Sequence, residues 1–207
     1  MNLAFIPARS GSKGLPNKNI KILNGLPLLA WSIQSAKKSK LIDEVVVSSD
    51  SLEIQSIAKN FGASILKRSK DLSNDTAKTI DVLKSHSEYL KQFEKIVILQ
   101  PTSPYRPENL IDDCIKCLDD DRFSNLATGF ICKSTEYGSH NNMRRQDFNG
   151  FFYDDGSVYI TNNSLIKSSK WVGENPYLYI NKKQFTYEID DIIDFKILEM
   201  LIKENEL

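Results

Sequence analysis

The sequence predicts an α/β fold: a single Rossmann-like, mostly parallel sheet flanked by helices. Two observations lead to this prediction. Short apolar runs of strand character alternate with segments of helical periodicity, an alternation typical of a sheet covered by helices. The chain has 207 residues, of which 41% are hydrophobic and 26% charged. This length and composition correspond to one globular domain with a core of ordinary size.

The predicted elements of the first half alternate regularly between strand and helix. Each strand is a short run of mostly apolar residues, and in each helix apolar residues recur every three or four positions. The strands are placed at residues 3–6, 45–47, 64–66 and 95–99, and the helices at 27–39, 52–61, 77–91 and 108–118. Ligands of such sheets bind at the carboxyl ends of the strands, so the loops that follow the strands are the candidate functional segments.

The regular alternation ends after a further strand at residues 125–131. Residues 133–150 are polar and contain few apolar positions, and we interpret them as a short excursion that forms a lid or a dimerisation segment. Strand character returns at residues 151–160 and 177–180, and an apolar helix is predicted at 192–202. We treat residues 1–207 as a single domain.

Composition argues against several classes of protein. No apolar run is long enough to cross a bilayer, the first residues lack an apolar signal core, and no basic stripe interleaved with aromatic residues indicates nucleic-acid binding. The three cysteines, Cys114, Cys117 and Cys132, are too few for a disulfide framework and fit a reducing, cytoplasmic setting. Cys114 and Cys117 lie within a helical pattern, which favours core packing over zinc binding.

Charge is distributed unevenly along a chain that is neutral overall. The first 42 residues carry seven Lys or Arg and no acid, whereas the segment from Thr186 onwards carries seven acids and two Lys. This asymmetry predicts an anion site and a cation site that the fold brings together.

The loop after the first strand has the composition of an anion-binding loop. Glycines and a serine let backbone amides approach an anion, and Arg9, Lys13 and Lys18 supply positive charge. The spacing of Gly11 and Gly14 fits neither a Walker loop nor a dinucleotide-binding fingerprint. A plain connecting loop is the alternative interpretation, but three cations in ten residues favour polyphosphate binding.

Three further segments accompany this loop in a fixed order along the chain. They are VVVSSD at 45–50, Arg68 followed by DTA at 75–77, and QPTSPYR at 100–106. Together with the front loop they resemble the motifs of the CMP-N-acetylneuraminate synthetase family, the cytidylyltransferases that activate nonulosonic acids. The resemblance covers nearly the whole chain and implies a fold of the nucleotide-diphospho-sugar transferase type.

The resemblance implies that CTP and a nine-carbon keto sugar acid give a CMP-sugar and pyrophosphate. The anomeric hydroxyl of the sugar attacks the α-phosphate, a reaction that depends mainly on positioning and charge neutralisation. The residues assigned to CTP are Ala8, Arg9, Ser10, Lys13, Lys18, Asn19, Arg68, Ala77 and Thr79. Gln100 is assigned to the sugar, and Thr102, Ser103 and Arg106 shape the end of the strand below it.

The acidic segment contains a candidate metal site. Glu188 and Asp190 flank Ile189 in an extended stretch, and this spacing places both carboxylates on one face. Two carboxylates beside a triphosphate suit Mg²⁺, which takes few protein ligands and keeps substrate oxygens and waters. Asp191 is assigned to the cap of the final helix. The family that the chain resembles usually has Asp at the position of Glu188.

The resemblance also assigns residues to the sugar acid. Arg145 aligns with the arginine that binds the sugar carboxylate in the family, and an arginine fork suits that group. Tyr159 and Trp171 align with sugar-pocket residues, with core packing as the alternative. The excursion before Arg145 is shorter than in the family, and Lys133 is the remaining stand-in for the family's sugar-binding lysine.

The sequence therefore predicts an Mg²⁺-dependent cytidylyltransferase whose partners are CTP and a nonulosonic acid. The resemblance further implies a homodimer. Two alternatives remain open at this stage: a cytidylyltransferase for 3-deoxy-manno-octulosonate, and a catalytically silent nucleotide-binding homologue. The sequence does not identify which nonulosonic acid is used.

Overall fold

The computed structural model describes residues 1–12, 14–139 and 143–205. The strands of this part of the chain are β1 (Asn2–Pro7), β2 (Ile22–Leu23), β3 (Leu26–Pro27), β4 (Glu44–Ser49), β5 (Ser64–Lys67), β6 (Lys95–Ile98), β7 (Asn125–Cys132), β8 (Phe151–Thr161) and β9 (Pro176–Ile180). The α-helices are α1 (Leu28–Lys38), α2 (Leu52–Asn60), α3 (Thr79–Ser85), α4 (Ser87–Leu90), α5 (Leu110–Cys117), α6 (Asn163–Lys167) and α7 (Ile192–Asn205).

A seven-stranded sheet organises the fold, with the strand order β5-β4-β1-β6-β8-β7-β9. The pairs β5/β4, β4/β1, β1/β6 and β7/β9 are parallel, whereas β8 pairs antiparallel with both β6 and β7. The prediction of a mostly parallel sheet flanked by helices is confirmed. Because β1, β4, β5 and β6 are parallel, the loops that follow them emerge at one edge of the sheet.

Helices cover the two faces of the sheet with separate apolar clusters. On one face α1, α2 and α5 pack against side chains such as Ile6, Val47 and Val97. On the other face α3, α4 and α6 pack against side chains such as Phe5 and Ile98. Along each buried strand, successive side chains therefore point alternately into the two clusters, as the pleat of a buried parallel sheet requires.

A third apolar cluster joins the two ends of the chain. Leu15 and Leu23, from the segment after β1, pack with Ile189 and with Phe195 and Leu198 of α7. These side chains are at most 6% exposed. The packing of α7 therefore positions the acidic segment before it against the loop after β1.

Three elements differ from the prediction, of which the short helix α6 was not expected from the sequence. The helix expected at 77–91 is interrupted at His86, whose backbone leaves the helical region (φ −107°, ψ 15°). Its Nε2 atom lies 3.1 Å from the hydroxyl of Ser48 on β4, so a tertiary contact is made at the break. A small hairpin, β2–β3, was not predicted, although Asn24-Gly25, with φ of 44° and 82°, is the residue pair typical of a two-residue hairpin turn.

The cysteine prediction agrees with the packing. Cys114 is buried within the cluster under α5, and Cys114, Cys117 and Cys132 are all free thiols. No α-helix in the described residues combines the length and apolar character needed to cross a membrane.

A buried network of hydrogen bonds and opposite charges around Arg106 and Asp155 supports the carboxyl end of β6. Arg106 is 8% exposed and donates to the backbone oxygens of Gln100 and Ser157 and to the hydroxyl of Ser32. Burial lowers the pKa of Arg106 to about 9, and attraction to Asp155 opposes this shift. Asp155 is 2% exposed and accepts hydrogen bonds from Thr128, Asn181 and the amide of Ser157.

We expect Asp155→Ala to lower the free energy of unfolding by about 3 kcal/mol or more, because it removes the acceptor of three buried hydrogen bonds and a negative charge that attracts the buried Arg106. Chemical denaturation followed by circular dichroism measures this difference. Asp154→Ala is the matched control, since Asp154 is exposed and its loss is expected to cost about 1 kcal/mol. Equal losses in the two variants would contradict the assigned role of the network.

Candidate active site

A polar cleft of about 450 Å³ opens at the carboxyl-terminal edge of the sheet. This volume is in the range of small-molecule sites. Its lining residues come from the loop after β1, the segment after β5, the end of β6 and the stretch before α7. They are Pro7, Arg9, Ser12, Gly14, Lys18, Asn19, Arg68, Ala77, Thr79, Gln100, Pro101, Thr102 and Asp190.

Arg9 and Lys18 give this cleft its positive charge. The Arg9 guanidinium donates to the carbonyl oxygen of Gly11 at 3.0 Å and forms an ion pair with Asp75 at 2.7 Å. Both side chains of the pair are partly exposed. Arg9 is therefore held at the wall of the cleft by contacts on two sides.

Lys18 connects the basic loop to the acidic segment. Its ammonium donates to the carbonyl oxygen of Ile189 at 2.6 Å and lies 3.7 Å from the carboxylate of Asp190. Gly14 approaches the same segment so closely that a β-carbon at this position would collide with the carbonyl oxygen of Asp190. The structure thus brings the two oppositely charged segments of the sequence to one cleft.

The segment after β5 forms another wall of the cleft. Arg68 donates to the carbonyl oxygen of Leu72, and its burial lowers the pKa of its guanidinium. Ala77 and Thr79 line the cleft beside it. Asn19 is buried and donates to the carbonyl oxygen of Arg9, so its amide stabilises the loop at the cleft wall.

Two further residues predicted for CTP, Ala8 and Ser10, do not line the cleft. Ala8 is fully buried, and its amide donates to the carbonyl oxygen of Ser48. Ser10 donates to Asp50 through its amide and its hydroxyl, at 2.9 and 2.5 Å. Lys13 lies outside the described residues.

Glu188 is held at the end of β6. The hydroxyl of Thr102 donates to Glu188 at 2.9 Å, and the amide of Ile189 donates to the carbonyl oxygen of Thr102 at 2.8 Å. Burial raises the pKa of Glu188, and the nearby carboxylates of Asp190 and Asp154 raise it further, against the hydrogen bond from Thr102. Glu188 therefore lies near Thr102 and Asp190, which line the polar cleft, and near the carboxylate of Asp154.

Ser103 and Gly156 lie close to Glu188 and fill the space beside it. Ser103 is 1% exposed and donates to the carbonyl oxygen of Asp155, so the structure does not bring it to the cleft wall. Gly156 has φ of +66°, and a β-carbon there would lie 2.8 Å from the Ser103 hydroxyl and 3.1 Å from Glu188. A glycine is required at this position for both backbone conformation and space.

A second pocket of about 250 Å³ lies on the sheet face beyond β6. Tyr159 and Trp171 form one wall of this pocket, with ring centroids 5.2 Å apart in an edge-to-face arrangement. The Tyr159 hydroxyl donates to Asp154 at 2.5 Å. Gln100 lines the polar cleft, and Ile98, two residues earlier in the chain, lines this pocket.

Arg145 lines neither the polar cleft nor the second pocket. It begins the 3₁₀-helix Arg145–Asp147 within the excursion and lines a separate depression of about 300 Å³, together with Lys133, Met143 and Phe148. Arg145 is exposed, and the Lys133 ammonium donates to the carbonyl oxygen of Gln146.

Three carboxylates of this region were not assigned as site residues from the sequence. Asp50 and Asp75 fall within the VVVSSD and DTA motifs but were not given individual roles, and Asp154 follows no recognisable motif. Each depends on contacts between segments 5 to 66 residues apart, with Ser10, Arg9 and Tyr159 respectively. The sequence motifs could have identified Asp50 and Asp75 as site residues, whereas only the folded structure identifies Asp154.

A mostly parallel sheet with a basic loop and carboxylates at its carboxyl edge defines a nucleotide-binding α/β protein. The family model "Cytidylyltransferase" matches residues 3–206. The chain therefore belongs to the cytidylyltransferase family, and the resemblance found in the sequence is confirmed.

Named relatives are similar over nearly the whole chain. The post-translational flagellin modification protein B of Campylobacter coli is 33% identical, with 99% of this chain and 96% of the relative covered. The CMP-N,N'-diacetyllegionaminic acid synthase of Legionella pneumophila is 32% identical, with 99% and 97% covered. The N-acylneuraminate cytidylyltransferase of Escherichia coli is 30% identical over 94% of this chain, which spans 50% of that longer protein.

The fold is shared with solved structures of lower sequence similarity. A CMP:2-keto-3-deoxy-manno-octonic acid synthetase complexed with CTP superposes with a TM-score of 0.77 at 13% identity, covering 99% of each chain. At this identity the similarity establishes the architecture only, which agrees with the predicted nucleotidyltransferase-type sheet.

We expect Gly14→Ala to weaken CTP binding at least about tenfold, because the added methyl group pushes the basic loop away from Asp190 and misplaces Lys18. Isothermal titration calorimetry with CTP measures the change. Asn17→Gly is the control in the same loop, since Asn17 has φ of 55°, which glycine adopts without strain. Unchanged CTP affinity in Gly14→Ala would show that the close approach is not needed for the nucleotide.

Proposed function

We propose that this protein transfers a cytidylyl group from CTP to the anomeric hydroxyl of a sialic-acid-like nonulosonic acid, forming a CMP-sugar and pyrophosphate. The observation that carries this proposal is the contact of Lys18 with the Ile189–Asp190 segment at the mouth of the cleft. This contact brings Lys18 beside Asp190 at one polar cleft, which supports a site that combines cations for a triphosphate with carboxylates for a metal.

The polar cleft is the nucleotide half of the proposed site. Arg9 and Lys18 bind the triphosphate with Lys13, and their charges stabilise the pyrophosphate as the bond to the α-phosphorus breaks. Arg68 and Asn19 lie on the wall where the nucleoside is bound, beside Ala77 and Thr79. Ala8 and Ser10 support this wall from behind, through their bonds to Ser48 and Asp50.

The reaction is an in-line displacement at the α-phosphorus. A new bond forms from the anomeric oxygen of the sugar to phosphorus while the bond to the β-phosphate oxygen breaks, and the hydroxyl proton is lost. Gln100, which lines the polar cleft two residues after Ile98 of the second pocket, is proposed to orient the attacking sugar. The carbonyl oxygen of Gln100 is bonded to the buried Arg106, which fixes the backbone at this position.

Asp190 and Glu188 are the groups that would hold Mg²⁺. In the part of the chain that the structure describes, three potential ligand side chains do not converge on one point, but Mg²⁺ bound to a nucleotide needs only one or two protein carboxylates. Asp190 lines the cleft with its carboxylate 82% exposed, and Glu188 lies near enough for Asp190 to raise its pKa. The donor set therefore fits the ion, which would supply charge neutralisation for the phosphates and activation of the hydroxyl.

The second pocket is the proposed site of the sugar substituents. Its walls are mainly apolar and aromatic, with Tyr159 and Trp171 facing Phe152 and Leu178. Such walls suit an acyl-amino group, whose methyl packs against rings and whose amide hydrogen meets an acceptor such as Asp154. Thr102 lines the polar cleft and bonds to Glu188, whereas Ser103 is buried behind it and bonds to the backbone of Asp155.

Arg145 is proposed to bind the sugar carboxylate. This role rests on its alignment with the family, and its place on the excursion leaves the guanidinium exposed beside Lys133. The relatives support a nonulosonic acid as substrate, since one is named for N,N'-diacetyllegionaminic acid and another for N-acylneuraminate.

We expect pyrophosphate release when the protein is incubated with CTP, Mg²⁺ and nine-carbon sugar acids, and none after chelation of the metal. Release with the eight-carbon 3-deoxy-manno-octulosonate alone would support the rival enzyme. CTP binding without release for any acid would support a silent homologue.

Asp190→Ala and Arg9→Ala are expected to reduce turnover about 10²-fold or more, because each removes charge stabilisation at the phosphates. Asp191→Ala is the matched control: Asp191 accepts from the amides of Ile193 and Asp194 and caps α7, as predicted. Its loss should cost about 1 kcal/mol of stability and leave turnover intact. Steady-state pyrophosphate assays and thermal melts separate the two effects, and normal turnover in Asp190→Ala would remove the metal assignment.

We also propose that the protein forms a homodimer through the distal end of β7, β8 and β9. Apolar side chains there are about half exposed, among them Ile131, Phe151, Tyr153 and Ile180. β9 is the edge strand of the sheet, and an apolar edge of this kind is usually covered by another chain. A second copy of this chain would cover the apolar edge at β9, so no other partner is needed.

Light scattering is expected to give twice the 23.6 kDa mass of one chain. The double variant Tyr153→Lys, Ile180→Lys should be monomeric, because charges replace apolar contacts at the proposed interface. Leu52→Lys, at an 80% exposed position on α2, is the control and should remain dimeric. A monomer for the unmodified chain at all concentrations would contradict the proposal.

A further inference from the structure

Arg9 is held in place by a segment distant in sequence. Its guanidinium donates to Asp75 at 2.7 Å and to the carbonyl oxygens of Gly11 at 3.0 Å and Ser73 at 3.5 Å. Ser73 and Asp75 belong to the turn that leads to α3. Two of these three contacts therefore join the loop after β1 to the opposite wall of the cleft.

The next residue of the loop is held in the same way. Asp50, at the end of β4, accepts hydrogen bonds from the amide and the hydroxyl of Ser10. These bonds and the nearby Arg68 lower the pKa of Asp50, although burial acts against them. Arg9 and Ser10 are thus each bonded to a carboxylate from a different segment.

Taken alone, the negative charges of Asp50 and Asp75 disfavour the binding of an anion. Asp75 partly neutralises the positive charge that Arg9 offers to a triphosphate and adds negative charge beside it. The pair also contributes little to folding, because its side chains are 28% and 37% exposed and solvent-exposed ion pairs add little to stability. Its structural consequence is to fix the direction of a long side chain.

Fixing Arg9 before the nucleotide arrives lowers the cost of binding. A free arginine side chain populates many rotamers, and a phosphate contact must overcome the entropy lost when one of them is selected. The planar guanidinium has five N–H donors, so it can keep its bonds to Asp75 and the loop while others face the cleft. Arg9 lines that cleft in the structure.

We propose that Asp75 is a positioning residue, which holds the Arg9 guanidinium towards the triphosphate and joins the triphosphate loop to the segment that carries Ala77 and Thr79. This inference rests on the proposed function, in which Arg9 binds the triphosphate of CTP. It predicts that Asp75 affects recognition of the terminal phosphates and has little effect on the nucleoside or on folding.

The test compares CTP and CMP binding by isothermal titration calorimetry. Asp75→Ala is expected to weaken CTP binding about tenfold and to change CMP binding less than about twofold, with an unchanged melting temperature. Asp75→Asn keeps an oxygen acceptor for Arg9 and is expected to bind CTP within about threefold of the unmodified protein. In the Arg9→Ala background, Asp75→Ala should have no additional effect on CTP binding.

Asp71→Ala is the control, since Asp71 is an exposed carboxylate on the same segment, within the 3₁₀-helix Lys70–Leu72. It removes the same charge and should leave CTP binding unchanged. Equal losses for CTP and CMP, an Asn variant as weak as the Ala variant, or an undiminished CTP affinity in Asp75→Ala would each overturn the positioning role. Failure of the unmodified protein to bind CTP would instead refute the proposed function, so the two failures are distinguishable.

Discussion

The contact between the Lys18 ammonium and the carbonyl oxygen of Ile189 is the interaction on which the site depends. It joins residues 171 positions apart, and it forms because Leu15, Ile189 and Phe195 share one buried cluster. Packing of α7 against the start of the chain therefore brings the basic and acidic segments together. In the proposed site, Lys18 offsets the repulsion between the phosphates of the nucleotide and the carboxylate of Asp190.

The buried pair of Arg106 and Asp155 provides the rigid support below this contact. Arg106 fixes the carbonyl oxygen of Gln100, while Asp155 connects β7 and β8 to the residue that follows β9 through Thr128, Ser157 and Asn181. Two opposite charges that are costly to bury are retained here, and each is hydrogen-bonded to backbone groups that it holds in place.

Much of the fold and part of the site could be predicted because their signals are local. Apolar runs placed the strands at the correct positions, and the front loop was recognised from its own composition. The break in the helix at His86 could not be predicted, since the contact of His86 with Ser48 comes from another strand. Ser103 lies in a recognisable motif, but its burial against Asp155 follows from the packing of β8.

The amino-acid sequence by itself determined the α/β architecture, the family and the identity of the charged segments, because periodicity, motif order and local charge are properties of neighbouring residues. The tertiary structure decided which charges meet. It joined Arg9 to Asp75 and Lys18 to the Ile189–Asp190 segment, and it placed Arg145 in a depression apart from the nucleotide cleft. Such contacts arise from the packing of helices and strands far apart in the chain, and no local pattern encodes their distances.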